Sequence, residues 1–261
     1  LRNDLFACCK LFSVHNGQYN IVGIFMLQNL KNFSAWLLPR ICVGCGFEAE
    51  DSELDLCAIC KRNLPWLDAG CYQCGGLISK PNESIICENC QSIPPAYSRL
   101  CALFKYRPPV TRMIGSLKFG QQLYPGALFG NLLSEAILET WYVGKVLPQI
   151  IIPVPLHIKR QRLRGYNQAT EIALPISKNL SINLDLNLCT RIKNTKPQAR
   201  LDKINRLRNL DSAFIVNSDH AYKHVALVDD VVTTGSTINA ISRALLKSGV
   251  DNIDVWCVCR A

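Results

Sequence analysis

The chain has 261 residues, with 29 Lys and Arg against 20 Asp and Glu, a net charge of +9, and fourteen cysteines. Its apolar stretch Ile21 to Leu30 is too short to cross a bilayer, which excludes that segment as a membrane span, and no internal repeat is visible outside the cysteines. Charge is unevenly spread: residues 42 to 90 hold eight acids and three bases, residues 91 to 261 twenty-two bases and eleven acids.

Residues 1 to 41 read as an N-terminal extension, poorly ordered or carrying a loosely docked helix. The chain opens on Leu, and Met26 offers an internal start. A signal peptide is the competing reading, against which Gln28, Asn29 and Lys31 interrupt the apolar run and no small-x-small cleavage site follows. The expected location is therefore cytoplasmic.

Residues 42 to 92 form the next region. Eight cysteines make four Cys-x-x-Cys knuckles: Cys42/Cys45, Cys57/Cys60, Cys71/Cys74 and Cys87/Cys90. A two-residue gap lets both sulfurs of a knuckle reach one tetrahedral ion, and two knuckles close a structural site, so the spacing predicts two Zn²⁺ ions. A disulfide framework is the rival reading, and it needs an oxidising compartment. Sequential and interleaved pairings both fit the spacing. Sequential pairing is favoured because its shorter loops cost less closure entropy. With its acidic balance and four thiolates per ion the ribbon should repel nucleic acid, which makes it a folding device or a docking surface.

After the linker Ile93-Pro-Pro95, residues 96 to 261 read as one domain. Leu100 to Lys105 predicts a strand, and Pro108 and Pro109 open a helix through Gly120 with Val110, Met113, Ile114 and Leu117 buried and Lys118 on the opposite side. A helical pattern spans Pro125 to Trp141, a buried strand Ile150 to Val154, and a helix kinked at Pro175 spans Asn167 to Leu180. Further strands are expected at Leu186 to Thr190, Ala213 to Val216, Val225 to Val228 and Ile253 to Val258. This alternation predicts an α/β fold: a mainly parallel sheet flanked by helices, with ligands at the carboxyl edge of the strands.

Bases cluster in two places, Lys159, Arg160, Arg162 and Arg164, then Arg191 to Arg208 with seven bases against the single Asp202. A solvated face is the ordinary explanation of such runs. The most informative segment is Val225 to Thr237, in which an apolar run ends at Asp229 and Asp230 and a turn, Val231, Val232, Thr233, Thr234, Gly235, Ser236 and Thr237, opens onto a helix. Backbone N–H groups of such a turn suit a phosphate. The adjacent acids would repel it and suit a neutral sugar diol instead.

Val225 to Thr237 resembles the 5-phosphoribosyl-1-pyrophosphate (PRPP) motif of type I phosphoribosyltransferases. Pro153-Val-Pro-Leu-His157, Arg164-Gly-Tyr-Asn-Gln168, and Thr195-Lys-Pro-Gln198 with Arg206 and Asn209 before Ala213-Phe214, all preceded by a Cys-rich ribbon, are similar to the ComF/GntX proteins, a likeness that runs from about Cys42 to the end. It implies a type I phosphoribosyltransferase fold after a double zinc ribbon. It also implies ribose contacts from Asp229 and Asp230, 5-phosphate contacts from residues 231 to 237, and Mg²⁺ accompanying PRPP. Pro155, Leu156, His157, Lys159, Arg160 and Arg164 would belong to the pyrophosphate loop, and Arg191, Lys196, Gln198 and Arg206 to a flexible hood. His157 beside its prolines is more often a hydrogen-bonded structural residue than an acid or base.

The resemblance further implies a role in natural transformation, with single-stranded DNA or a helicase partner of DNA uptake as the macromolecule involved. Three functional readings stay open: an active phosphoribosyltransferase with an unnamed acceptor, a PRPP binder without turnover, and a nucleic-acid module with a relic site. The complete phosphate turn favours the first two.

Overall fold

Five strands assemble into one parallel sheet in the computed structural model, which describes residues 40–49, 54–68, 70–78, 85–120, 122–193, 212–217 and 219–261. The chain divides into two units, Leu1–Ala58 and Ile59–Ala261. In the described part of the first, Cys42 and Cys45 lie on a turn closed by Gly46, whose N–H donates to the Cys42 carbonyl (2.8 Å). Gly46 holds φ +79°, which a side chain would strain.

Helix α1 (Ala58–Arg62) starts at the last residue of the first unit and α2 (Glu88–Ser92) lies in the second, each a short helix carrying the second cysteine of a knuckle. The sheet of the second unit contains β1 (Arg99–Lys105), β2 (Ile150–Pro153), β3 (Asn183–Leu184), β6 (His224–Val232) and β7 (Asn252–Arg260) in the order β1-β7-β6-β2-β3, all parallel. Ile150 to Pro153 and Val225 to Val228 are buried throughout, as strands covered on both faces require. Helices α3 (Val110–Phe119), α4 (Tyr124–Ala136), α5 (Ile158–Arg164) and α6 (Gln168–Leu180) follow β1 and β2, and α4 packs on α6, which covers β2 and β6. Gly130 permits that approach, since a Cβ there would sit 2.4 Å from the Ile172 carbonyl oxygen. Helix α7 (Ser236–Lys247) joins β6 to β7 and buries Ile238, Ala240, Ile241 and Leu245.

The α/β class and parallel sheet are as the alternation predicts, and several details differ. The runs at Leu186 to Thr190 and Ala213 to Val216 become β4 (Cys189–Arg191) and β5 (Phe214–Val216), an antiparallel pair outside the main sheet, packed on α7. Their apolar residues Cys189 and Phe214 are buried there, so a packing face exists without sheet membership. The predicted helix to Trp141 ends as a π turn, Ile137–Trp141. The acid pair does not follow the end of its strand: β6 continues to Val232, because Val231 and Val232 keep the β-branched pattern and pair with Cys259 and Arg260.

At the amino edge, Asp254 joins β7 to its neighbours. It accepts from Arg99 Nε (3.2 Å) and Tyr142 Oη (2.5 Å) and bonds to His224 Nε2 (2.8 Å), while Trp256 Nε1 donates to Tyr142 Oη (3.1 Å). Burial pushes the Asp254 carboxyl up, but His224, Tyr142 and Arg99 outweigh it and hold it below its ordinary value. Its stabilisation is therefore present above the ordinary carboxylate range and is lost as pH falls through the depressed value. Asp254→Ala leaves the Arg99 guanidinium buried without its partner and should cost about 3–5 kcal/mol, read as a lower urea midpoint.

The connections set the position of the site. From β2 the chain crosses by α5 and α6 to β3 on one side, while from β6 it crosses by α7 to β7 on the other. A crevice opens where adjacent strands send their connections in opposite directions, at their carboxyl ends. The proline-rich loop and basic helix after β2 thus share one edge with the acids and turn after β6.

Candidate functional site

The acid pair lies within the last residues of β6. Asp229 is partly exposed and Asp230 buried. Each carboxylate folds onto its own backbone: Asp229 Oδ1 accepts from the Asp230 N–H (2.9 Å), and Asp230 Oδ1 accepts from the Val231 N–H (2.8 Å). That fixes their direction and leaves their second oxygens for other partners. Asp230 Oδ2 has the Lys118 ammonium at 2.7 Å but off the direction of a hydrogen bond, so it keeps unused acceptor capacity. Burial and the neighbouring Asp230 push the Asp229 carboxyl well above the carboxylate range, against the pull of the Asp230 N–H and of Lys118.

A carboxyl with a raised value in the folded protein makes that state hold more protons, so stability falls as pH rises from the ordinary carboxylate range through the raised value. Asp229→Asn removes the cost. Thermal unfolding of the ligand-free protein at neutral pH should shift upward, with a shallower dependence on pH.

Beyond Val232 the chain turns through Thr233 and Thr234, both exposed, to Gly235 at φ +73°. Gly235 is the N-cap of α7 and places no side chain over its first turn. A helix entered this way leaves the N–H groups of Gly235, Ser236, Thr237 and Ile238 without intrahelical carbonyls. Among the described residues only Ser236 finds a side chain, Thr234 Oγ1 at 3.4 Å. The turn therefore presents amides and hydroxyls together, with the positive end of the helix dipole behind them.

Across the crevice, His157 caps α5: its Nδ1 accepts from the Lys159 N–H (3.2 Å) and the residue is buried. That is the structural role expected from its proline-rich surroundings. Pro155 and Leu156 are partly buried, and Lys159 is exposed. Arg164 donates to Gln168 Oε1 (2.7 Å) and lies over the Phe119 ring (5.4 Å). Arg191, on β4, lies over the Phe214 ring (5.4 Å); burial and then the nearby Arg160 pull its value down while Asp229 opposes them. The structure so brings Arg191 into the electrostatic range of both Arg160 and Asp229. Lys196, Gln198 and Arg206 lie outside the described residues.

Lys118 is a site residue that sequence reading did not assign. Its helix does bury Val110, Met113, Ile114 and Leu117, and the opposite side proves to face the acids. Lys118 also lines a cleft of about 320 Å³ with Phe119, Arg160, Leu163, Arg164 and Tyr166. Phe119 and Leu163 are 79% and 84% exposed, a wide apolar surface among cations. Another cleft, of about 350 Å³, lies between β5 and α7 and includes neither the acids nor the turn.

The cysteines form two clusters, Cys42/Cys45/Cys57/Cys60 and Cys71/Cys74/Cys87/Cys90, with the sulfurs of each within 4.8 Å of one another. This is the sequential pairing. A tetrahedral zinc with Zn–S of about 2.3 Å sets sulfurs about 3.8 Å apart; Cys45–Cys57 and Cys74–Cys87 stand at 3.9 and 3.8 Å. Amides support the same sulfur in each: the Cys57 N–H donates to Cys42 Sγ (3.3 Å) and the Cys87 N–H to Cys71 Sγ (3.3 Å). Burial raises both thiols, but these and adjacent amides outweigh it and hold Cys42 at about 6 and Cys71 at about 7. The donor sets fit two structural zinc ions. Among the described residues no helix is long and apolar enough to cross a membrane.

Residues 33–91 match the double zinc ribbon domain family. The DNA utilization protein YhgH of Salmonella typhimurium is 34% identical over 224 residues, which cover 85% of this chain and 98% of that protein. Competence protein F of Haemophilus influenzae is 34% identical over 224 residues, covering 84% and 96%. Among solved structures, a purine phosphoribosyltransferase from Pyrococcus horikoshii is 17% identical, with 51% of this chain and 70% of that one covered and a TM-score of 0.31, a likeness too slight to add to what the strand order shows. With a third of its residues identical over nearly the whole of both curated relatives, the chain belongs to the ComF/GntX family.

Proposed function

We propose that the chain binds PRPP and transfers its phosphoribosyl group to a nitrogen acceptor, in a process that handles DNA. The observation that carries the reading is the junction after β6, where a carboxylate with spare acceptor capacity stands beside a turn whose amides lack intrahelical partners. Carboxylates accept from sugar hydroxyls, and the turn accepts a phosphomonoester, so one ligand must carry both groups at close spacing. Residues 231 to 237 would take the 5-phosphate and Asp229 and Asp230 the ribose diol. Lys159, Arg160, Arg164 and Arg191, with the hood residues Lys196, Gln198 and Arg206, would face the pyrophosphate. The names of the relatives, DNA utilization protein and competence protein, support a setting in DNA uptake.

In this reading residues 42–92 act as the ribbon and 96–261 as the transferase domain. The donor set suits Mg²⁺ only together with ligand oxygens, since two adjacent carboxylates, one already beside Lys118, leave most octahedral positions to phosphate and water. Such an ion supplies charge neutralisation for the pyrophosphate. The chain's own part is positional: the acids and turn hold the ribose still while the cations stabilise the leaving group, so that C1 gains oxocarbenium character without a covalent nucleophile. Lys118 holds Asp230 in its direction before the ligand arrives.

One observation favours a second reading, in which the chain binds single-stranded DNA without turnover. Exposed Phe119 and Leu163 stand among Lys118, Arg160 and Arg164, and bases stack on such surfaces between cations. Calorimetry with PRPP and Mg²⁺, followed by assay of pyrophosphate release against free bases and single-stranded DNA, separates the two. Transfer predicts saturable binding and acceptor-dependent pyrophosphate. Binding of DNA alone predicts neither, and a steep fall of log affinity with log salt.

A further inference from the structure

We propose that Arg260 is a positioning residue that sets the phosphate turn and couples it to the second cysteine cluster, an inference that rests on the PRPP reading of the same turn. Arg260 ends β7 beside Val232, and its guanidinium reaches in two directions. Nη1 donates to the carbonyls of Val232 (3.1 Å) and Thr233, the two residues that lead into the turn, while Nε donates to the carbonyl of Cys74 (2.7 Å), a ligand residue of the second cluster. One side chain thus ties a metal knuckle to the entry of an anion site.

The arrangement has a physical purpose. A turn that binds an anion must aim its N–H groups at the ligand and its carbonyls away, because a carbonyl turned inward would repel a phosphate oxygen. The Val232 carbonyl already accepts from the Ala261 N–H (3.0 Å), so the guanidinium is a second donor there, and its own contribution is to hold the Thr233 carbonyl on the far side. Its planar fork serves several carbonyls at once, which a lysine ammonium on a flexible stem does less well. The cation behind the turn also favours a bound anion.

The knuckle is built to approach. Gly75 holds φ +65°, and a Cβ there would stand 2.6 Å from Leu100 Cδ2 and 3.7 Å from Arg260 Cδ; one at Gly76 would stand 3.9 Å from Arg260 Nη2. The Leu100 N–H donates to the Tyr72 carbonyl (3.3 Å), which joins the same knuckle to β1. A parallel contact follows the ribbon, where the Ala96 N–H donates to Asn239 Oδ1 (2.8 Å) and Asn239 Nδ2 donates to the Gly235 carbonyl (3.2 Å). The second cluster is therefore linked to the turn through Arg260, and the segment after it through Asn239. Reciprocity follows: if the metal-loaded knuckle favours the ligand-ready turn, ligand in the turn must favour the loaded knuckle by the same factor.

The test uses full-length, zinc-loaded protein and two readouts, PRPP affinity with Mg²⁺ by calorimetry and zinc transfer to a colorimetric chelator with and without saturating PRPP. Zinc held by each cluster is assigned with Cys57→Ser and Cys87→Ser variants. In the wild type, PRPP should slow zinc loss from the second cluster several-fold and leave the first unchanged. Arg260→Gln should retain two zinc ions, bind PRPP about 10- to 100-fold more weakly and lose that protection, with Arg260→Lys intermediate. If wild type binds PRPP but its second zinc leaves at the same rate, or if Arg260→Gln binds as wild type does, the coupling is wrong and the ligand reading stands. If the wild type binds no PRPP, both fall together. An Arg260→Gln protein that does not fold is replaced by Arg260→Lys, for which unchanged affinity and unchanged protection overturn the proposal.

Discussion

Asp229→Asn combined with Asp230→Asn is expected to weaken PRPP binding by at least about 100-fold while both zinc ions remain. The amide keeps the shape of each side chain but loses the charge, and one of its two terminal atoms becomes a donor where the diol needs an acceptor. Hydrogen bonds to a charged group contribute about 1.5–3 kcal/mol each, so two of them account for a loss of that size. The Asp229 change relieves a carboxylate that is ionised only at a cost, while the Asp230 change removes the ion pair with Lys118, so the two act in opposite directions on stability. Calorimetry reads the affinity, and metal analysis with thermal unfolding confirms an intact protein. An unchanged affinity would refute the ribose assignment.

Zinc removal should have the second large effect. Structural zinc in small ribbons contributes apparent binding energies of about 10–16 kcal/mol at neutral pH. Metal analysis should find two zinc ions per chain, with Cys57→Ser and Cys87→Ser each losing one. Chelation should make residues 42–92 sensitive to protease while the buried strands β2, β6 and β7 stay protected. Recovery of a single ion from the wild type would contradict the two-cluster arrangement.

The site was legible in the sequence to the extent that its chemistry is local. Asp229, Asp230 and the turn to Thr237 are consecutive, and a strand-to-helix junction brings consecutive residues to one edge without help from the rest of the chain. The cysteine pairing was legible for a related reason, since closure entropy favours near neighbours and the clusters are sequential. The end of β6 was misread although the signal was there: Val231 and Val232 continue the β-branched run, and only the assumption that acids end a buried strand stopped it at Val228.

Lys118 and Arg260 were not legible as site residues, because their roles depend on long-range placement. Periodicity puts Lys118 on the polar side of its helix but does not say that this side meets a strand end 112 positions later. Arg260 reads as an ordinary base after an apolar run until the parallel register sets it beside Val232. The pair β4 and β5 failed for the opposite reason. Short apolar runs satisfy the pattern of a sheet strand, and nothing local tells a two-stranded flap packed on α7 from a member of the main sheet.

A structure of the protein crystallised with PRPP and Mg²⁺ would locate the ligand at the end of β6 or away from it. The ribose hydroxyls should lie on Asp229 and Asp230 and the 5-phosphate on the amides between Thr233 and Ile238, at the carboxyl edge between β2 and β6. PRPP bound away from that edge, or an edge left empty at concentrations where calorimetry shows the protein saturated, would contradict that placement.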